Sequence, residues 1–302
     1  MRYVTMVAAS AAVVGFWAAA HTDIAQAASA LRAPVSASAI TTATTSQEDF
    51  RWSGRIARGK QIEINGLFGD VRAELTSGDE VEVVGHRRGS AAGGVRIVVD
   101  QNDEGVTICT VYRASGDANE SRDCENNRSG DRDGTVDHDD ARIDWVVRVP
   151  AGVKFSAGTV DGDITAEGMR GPVAVASVAG DVRVSTTGSA RAATVSGNVV
   201  ASFGEMDDEE MEFASVSGNV LLRLASGVNA SVQAQTLSGE IESDFELRRG
   251  SMTDADDDDD DRIAGMNLNI QIGRQARGDI GRGGQELNVT TVSGDIRLER
   301  AR

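Results

Sequence analysis

Four acids occupy the same place in a repeated block. Asp163, Asp181, Glu240 and Asp295 each follow a glycine, and Asn198 and Asn219 hold that place in two sister blocks. If the blocks stack, these side chains fall in one column. A row of carboxylates could hold a cation, and two acids at a fixed separation could hydrolyse a glycosidic bond. Amides at two of the six places would spoil a catalytic ladder, whereas Asp and Asn alike hydrogen-bond the backbone of a tight turn. The column is therefore expected to be turn chemistry, repeated once per block.

Two other acidic features invite a metal. Ser129-Gly130-Asp131-Arg132-Asp133-Gly134, with Asp140 following, imitates a calcium loop, with oxygen side chains at positions 1, 3, 5 and 12 and Gly at 6. The first position is Ser, the twelfth is Asp rather than Glu, and no helix is expected on either side. Asp254 and Asp256 to Asp261 form the strongest electrostatic feature. Such a run reads as a solvated loop. Asp131, Asp133, Asp140, Asp257, Asp259 and Asp261 are thus calcium candidates of second rank, and no other cofactor is expected.

Hydrolase chemistry fails on inventory. Beyond the leader described below, the histidines are His86 and His138, and no serine sits in a Gly-x-Ser-x-Gly elbow. Gly278-Asp279-Ile280-Gly281-Arg282-Gly283-Gly284 is glycine-rich but follows no βα signature. Cys109 and Cys124 are the two cysteines. In an oxidising compartment their default is a disulfide, closing a short loop for ~3 kcal/mol. A reactive or metal-binding pair is the rival, with no histidine nearer than His138.

The elements that position these residues begin with a leader. Arg2, the apolar or small run Val4 to Ala20, and Ala25-Gln26-Ala27 have the order of a secretion signal, with cleavage expected after Ala27. The run is shorter than a spanning helix needs, and no later stretch could cross a bilayer. An extracytoplasmic location is expected: periplasm, cell surface or medium. The formal net charge of −17 repels phosphate backbones and anionic membranes, which argues against nucleic acid as a partner. Aromatics make up 4% of the chain, too few for the stacking ladder of a sugar-binding cleft.

Residues 28–49 are small and polar and read as a disordered linker. From Phe50 the pattern is strand: Gln61-Ile62-Glu63-Ile64, Glu80-Val81-Glu82-Val83, Val95 to Val99, Val106 to Tyr112 and Ile143 to Val149. This N-terminal β segment, 50–149, contains an acidic exposed loop at 113–142. The region 150–302 is repetitive. Its blocks are Thr159-Val160-Asp161-Gly162-Asp163-Ile164 and equivalents centred on Gly180, Gly197, Gly218, Gly239 and Gly294, with a degenerate member at Gly278 and an early echo, before the region, at Gly69. Glycines 162, 180, 197, 218, 239, 278 and 294 are 18, 17, 21, 21, 39 and 16 residues apart, and the step of 39 contains the acidic insertion 252–262. A period near 20 with strand-type residues implies one β-rung per repeat. Gly162, Gly180, Gly197, Gly218, Gly239 and Gly294 are expected as structural turns. The expected fold is all-β: a single-stranded, solenoid-like stack of short Gly-turn repeats, led into by the N-terminal strands.

Phe50-Arg51-Trp52-Ser53-Gly54-Arg55-Ile56, Gly69-Asp70-Val71, Val149-Pro150-Ala151-Gly152-Val153 and the Val-Ser-Gly-Asp-Ile blocks together resemble bacterial domains named "putative adhesin", a family of unknown function. The likeness covers about 50–302. It implies the fold and an adhesin-like role, and no catalytic residue. The Asp run and Met206-Asp207-Asp208-Glu209-Glu210-Met211 depart from it. The expected function is a non-enzymatic interaction or scaffold domain of the cell envelope, with a surface protein or glycan as partner. The alternative is a β-helix carbohydrate-active enzyme, a lyase or hydrolase, which would need a concave site with converging charges.

Overall fold

The computed structural model describes residues 49–90, 92–111, 124, 141–204, 211–251 and 273–301. The expected signal (1–27), all but the last residue of the linker and all six calcium candidates lie outside them. So do the acidic insertion 252–262 and most of the loop 113–142.

Each repeat makes two strands rather than one. Alternation places Phe155 and Ala157 inward in β8 (Lys154–Asp161). Gly162 and Asp163 bend the chain, and Ile164 and Ala166 turn inward from β9 (Ile164–Met169). The same pattern gives β10 (Val173–Ala179) with β11 (Val182–Thr186), and β12 (Ala190–Ser196) with β13 (Val199–Phe203). It continues in β14 (Met211–Ser217) with β15 (Val220–Leu224), β16 (Ala230–Ser238) with β17 (Ile241–Ser243), and β20 (Glu286–Ser293) with β21 (Ile296–Arg300). In the N-terminal segment β2 (Gln61–Asn65) and β3 (Val71–Thr76) form such a rung, as do β6 (Gly105–Val111) and β7 (Arg142–Pro150).

Strands before the bend build one sheet of 11 strands and those after it a second of 10. The repeat strands pair in parallel and in register, Phe155 beside Val173 and Val173 beside Ala190. Reversed strands complete both ends. β1 (Phe50–Gly54) and β4 (Val81–Arg88) lie antiparallel on the 10-stranded sheet, and β5 (Arg96–Asn102) pairs antiparallel with β6. At the far end β19 (Arg274–Ile280) and β18 (Arg248–Ser251) are antiparallel extensions of the 11-stranded sheet.

The expected single-stranded stack is therefore corrected. A repeat near 20 residues exceeds one strand, and its bend lets each half bury its own apolar face against the other. The rungs are also not consecutive. β2/β3 sits between β6/β7 and β8/β9, and β20/β21 sits between β14/β15 and β16/β17. One apolar core runs between the sheets from Ile62 and Val81 to Leu298, joining both parts of the chain. Trp145, Phe155 and Phe213 are its largest fully buried side chains, and Phe203 stacks on Phe213 at 5.5 Å across the sheets. A buried side chain of this size stabilises by about 1.5–3 kcal/mol.

Candidate interaction surface

The bend from the 11-stranded to the 10-stranded sheet recurs rung after rung, forming one long corner. Three ladders hold it. The first is of hydroxyls: Thr159, Ser177, Thr194, Ser215, Thr291 and Thr236 are buried. Each donates to the carbonyl of the neighbouring rung's glycine, for example Ser177 Oγ to Gly162 O at 2.9 Å and Thr194 Oγ1 to Gly180 O at 2.9 Å. Thr159, Ser215, Thr291 and Thr236 reach Gly69, Gly197, Gly218 and Gly294 in the same way. The second is the glycines. A Cβ on Gly162, Gly180, Gly197, Gly218, Gly239 or Gly294 would overlap the carbonyl of the glycine beside it. At Gly197, with φ +153°, the backbone also disfavours any other residue.

The third ladder is the acid column. Asp144 Oδ1 accepts from Asp70 N, Asp70 Oδ1 from Asp163 N, and Asp163 Oδ1 from Asp181 N, at 2.8–3.2 Å. Asp181, Asn198, Asn219 and Asp295 pass the same bond onward to Asn198, Asn219, Asp295 and Glu240, at 2.8–3.0 Å. Each side chain from Asp144 to Asp295 therefore commits one oxygen to the next rung's backbone. Amide and carboxylate accept equally well, which explains why both occur.

Outside these ladders runs an apolar ridge. Val160, Val178, Val195, Val216, Val292 and Leu237 follow the hydroxyl residues in register. Leu67 extends the row, its carbonyl accepting from Val160 N. Val160, Val178 and Leu237 are 39, 46 and 43% exposed. At ~4.8 Å per rung, seven residues span about 29 Å.

A second feature lies on the outer face of the 10-stranded sheet, an open hollow of about 670 Å³ between β15, β21 and β17. Its charges answer one another. Arg223 Nε lies 3.2 Å from Glu299 Oε2, Arg297 pairs with Glu242, and Arg300 donates to the Asp244 carbonyl while its guanidinium covers Phe245 at 4.8 Å. The hydrogen bond that Arg297 donates to the Glu242 carboxylate holds its guanidinium above the ordinary pKa.

Residues 110–272, more than half of the chain, match the Toastrack DUF4097 family. The chain belongs to that family. A search of the curated proteins found no match. Among solved structures, this Toastrack chain is similar to a "putative cell adhesion protein" of Clostridium sporogenes, at 9% identity and a TM-score of 0.44, over 84% of this chain and all of the other. It is also similar to a "putative adhesin" of Bacteroides fragilis, at 9% identity and a TM-score of 0.29, over 86% of this chain and all of the other.

The other sequence candidates fall apart in space. Cys109 and Cys124 are bonded, with Cα atoms 5.7 Å apart, and pack with Val111 and Val98 in a small cluster of their own. His86 Nδ1 lies 3.0 Å from Asp49 Oδ2 on β4, and His138 is outside the described residues. Gly278 and Ile280 belong to β19, between β18 and β16. Sequence reading missed the hydroxyl ladder and the ridge of the Toastrack corner, although both were in plain sight. The first place of every block is Ser or Thr and the second is Val or Leu.

Proposed function

We propose that this chain is a non-catalytic interaction domain, exported to the cell envelope or surface, which presents the ridge of its glycine corner to a protein or glycan. The observation that carries this reading is the ridge itself. Seven apolar residues stand in line on a corner whose backbone is fixed by three ladders, and three of them are more than a third exposed. A contiguous exposed apolar row marks an interaction site more often than an isolated exposed residue does. The acid column supports the non-catalytic half, because its oxygens serve as backbone acceptors rather than converging on a cleft.

The test is capture from envelope extract on immobilised protein, with and without calcium, against a Val160→Glu/Val178→Glu variant. The wild type should retain a partner that the variant loses, with both melting alike. Equal capture by the two proteins sinks the ridge. Release of sugar from envelope polysaccharide that vanishes in Glu242→Gln would instead make the hollow an enzyme site.

A further inference from the structure

The two sheets do not end level. β4 and β5, joined through the short 3-10 turn Ala92–Gly94, face each other across the core. The 10-stranded sheet then carries one more strand, β1, while β5 has β6 as its single neighbour among the described strands. Among the described residues, a slot one strand wide lies beyond β5, roofed by β1. Phe50 and Trp52 of β1 and Ile97 and Val99 of β5 pack on the core but are only partly buried, unlike Val81, Val83 and Ile108 beside them. The core is open at this end among the described residues.

Among the described residues, no strand pairs with the free edge of β5. It has seven residues, no proline and an unbroken register with β6. Long, flat apolar edges are ordinarily blunted or covered. The other edge strands, β1, β17 and β18, have five, three and four residues. On the outward side, Arg96 and Asp100 flank Val98. Arg96 is half-buried, its Nε and Nη2 are buried without a hydrogen-bond partner, and among the described residues no hydrogen bond or ion pair reaches the Asp100 carboxylate.

We propose that this slot takes an extended segment of a partner protein as an added strand, antiparallel to β5. Its alternate side chains are apolar and lie under Phe50 and Trp52, with a basic residue opposite Asp100 and an acidic one opposite Arg96. The proposal rests on the interaction reading above and names the partner's chemistry. Added strands gain affinity from main-chain hydrogen bonds and specificity from alternate side chains. Width selects the occupant. A second copy joined through β5 would bring its own β4 into the place of β1, so the slot admits a strand and not a sheet. Direction follows from the rungs. β1 runs as β7 does, and its missing counterpart would run as β6 does, antiparallel to β5.

The probe is a labelled peptide, Thr-Val-Lys-Val-Thr-Ile-Glu, whose Lys and Glu fall opposite Asp100 and Arg96 in that direction. Its control exchanges the Lys and Glu. The mature protein should bind the first at least tenfold more tightly, and an Arg96→Asp/Asp100→Arg variant should invert the preference. The outward amides of β5 should exchange quickly in the free protein and slowly with peptide bound. Equal binding of the two peptides by the wild type overturns the proposal without any mutation, and so does a folded variant that keeps the wild-type preference. Amides already protected before peptide is added would mean that the chain covers its own edge, which also overturns it. The peptide needs β5, whereas envelope capture needs Val160 and Val178, so either reading can fail alone.

Discussion

The two corners of the stack are built from the same rungs and obey different rules. At the glycine corner the acid column runs without a break from Asp144 to Glu240, with the hydroxyl and glycine ladders beside it. At the opposite corner, where each rung hands on to the next, a shorter device holds Gly152, Gly171 and Gly188 together, with Thr186 Oγ1 donating to Gly171 O at 2.7 Å. It then opens. A Cβ on Gly204 would meet nothing within 4 Å, and the acidic insertion at 205–210 follows directly. The long segments 112–140 and 252–272 join the chain where the glycine-corner ladder has ended, beside Asp144 and past Glu240. A ladder in which every residue serves two neighbours has no room for an extra one. Insertions collect where that bookkeeping stops.

The largest effect should come from filling the ladder. Gly197→Val or Gly218→Val should cost about 3 kcal/mol or more, since a carbonyl and not a flexible side chain must give way. Gly204→Val at the open corner should cost under about 0.5 kcal/mol. Urea melts that rank them the other way would refute the contrast. Next comes the bond that pins the first long segment. Cys124→Ser should lose about 2–3 kcal/mol by loop closure, and non-reducing mass spectrometry of native protein should find no free thiol.

Thr194→Val should cost about 1–2 kcal/mol by leaving the Gly180 carbonyl without its buried donor. Ser226→Ala, exposed at the opposite corner, should stay within about 0.5 kcal/mol. Equal losses would mean that the hydroxyl ladder contributes little. Asn198→Asp should cost less than about 1 kcal/mol, because a carboxylate oxygen can still accept from Asn219 N. What it forfeits is the bond from Asn198 Nδ2 to Asp181 Oδ1 at 3.2 Å. Smallest of all, deleting 252–262 with a Gly/Ser link should move the melting temperature by no more than about 2 °C. Chelator should leave the wild-type melt unchanged; a fall would make calcium structural.

The corner was legible because its constraints are local and recur at a readable period. Glycine has to be glycine where the next carbonyl lies against it, and the acid after it has to be Asp, Asn or Glu. The apolar residues flanking the bend announced a core in the same way. The two strands per repeat were hidden by the bend, since Val160 before it and Ile164 after it look alike in sequence, yet one faces out and the other in. Rung order was invisible for a deeper reason. Blocks so similar offer interchangeable faces, and nothing local says that β20/β21 should insert beside β14/β15. The slot at β5 was equally hidden, because it is defined by a difference in length between two sheets.

The interleaving of β20/β21 has a consequence in time. A chain made or threaded from its N-terminus presents β16/β17 before the rung that must lie between it and β14/β15 exists. Until residues 286–300 arrive, Val220 and Ile241 have no shared neighbour, although both later flank Ile296. The last third of the molecule cannot close early on its own. Arrival of β20 and β21 is itself the trigger for sealing the stack, so a product interrupted before them keeps an open end for proteases to find.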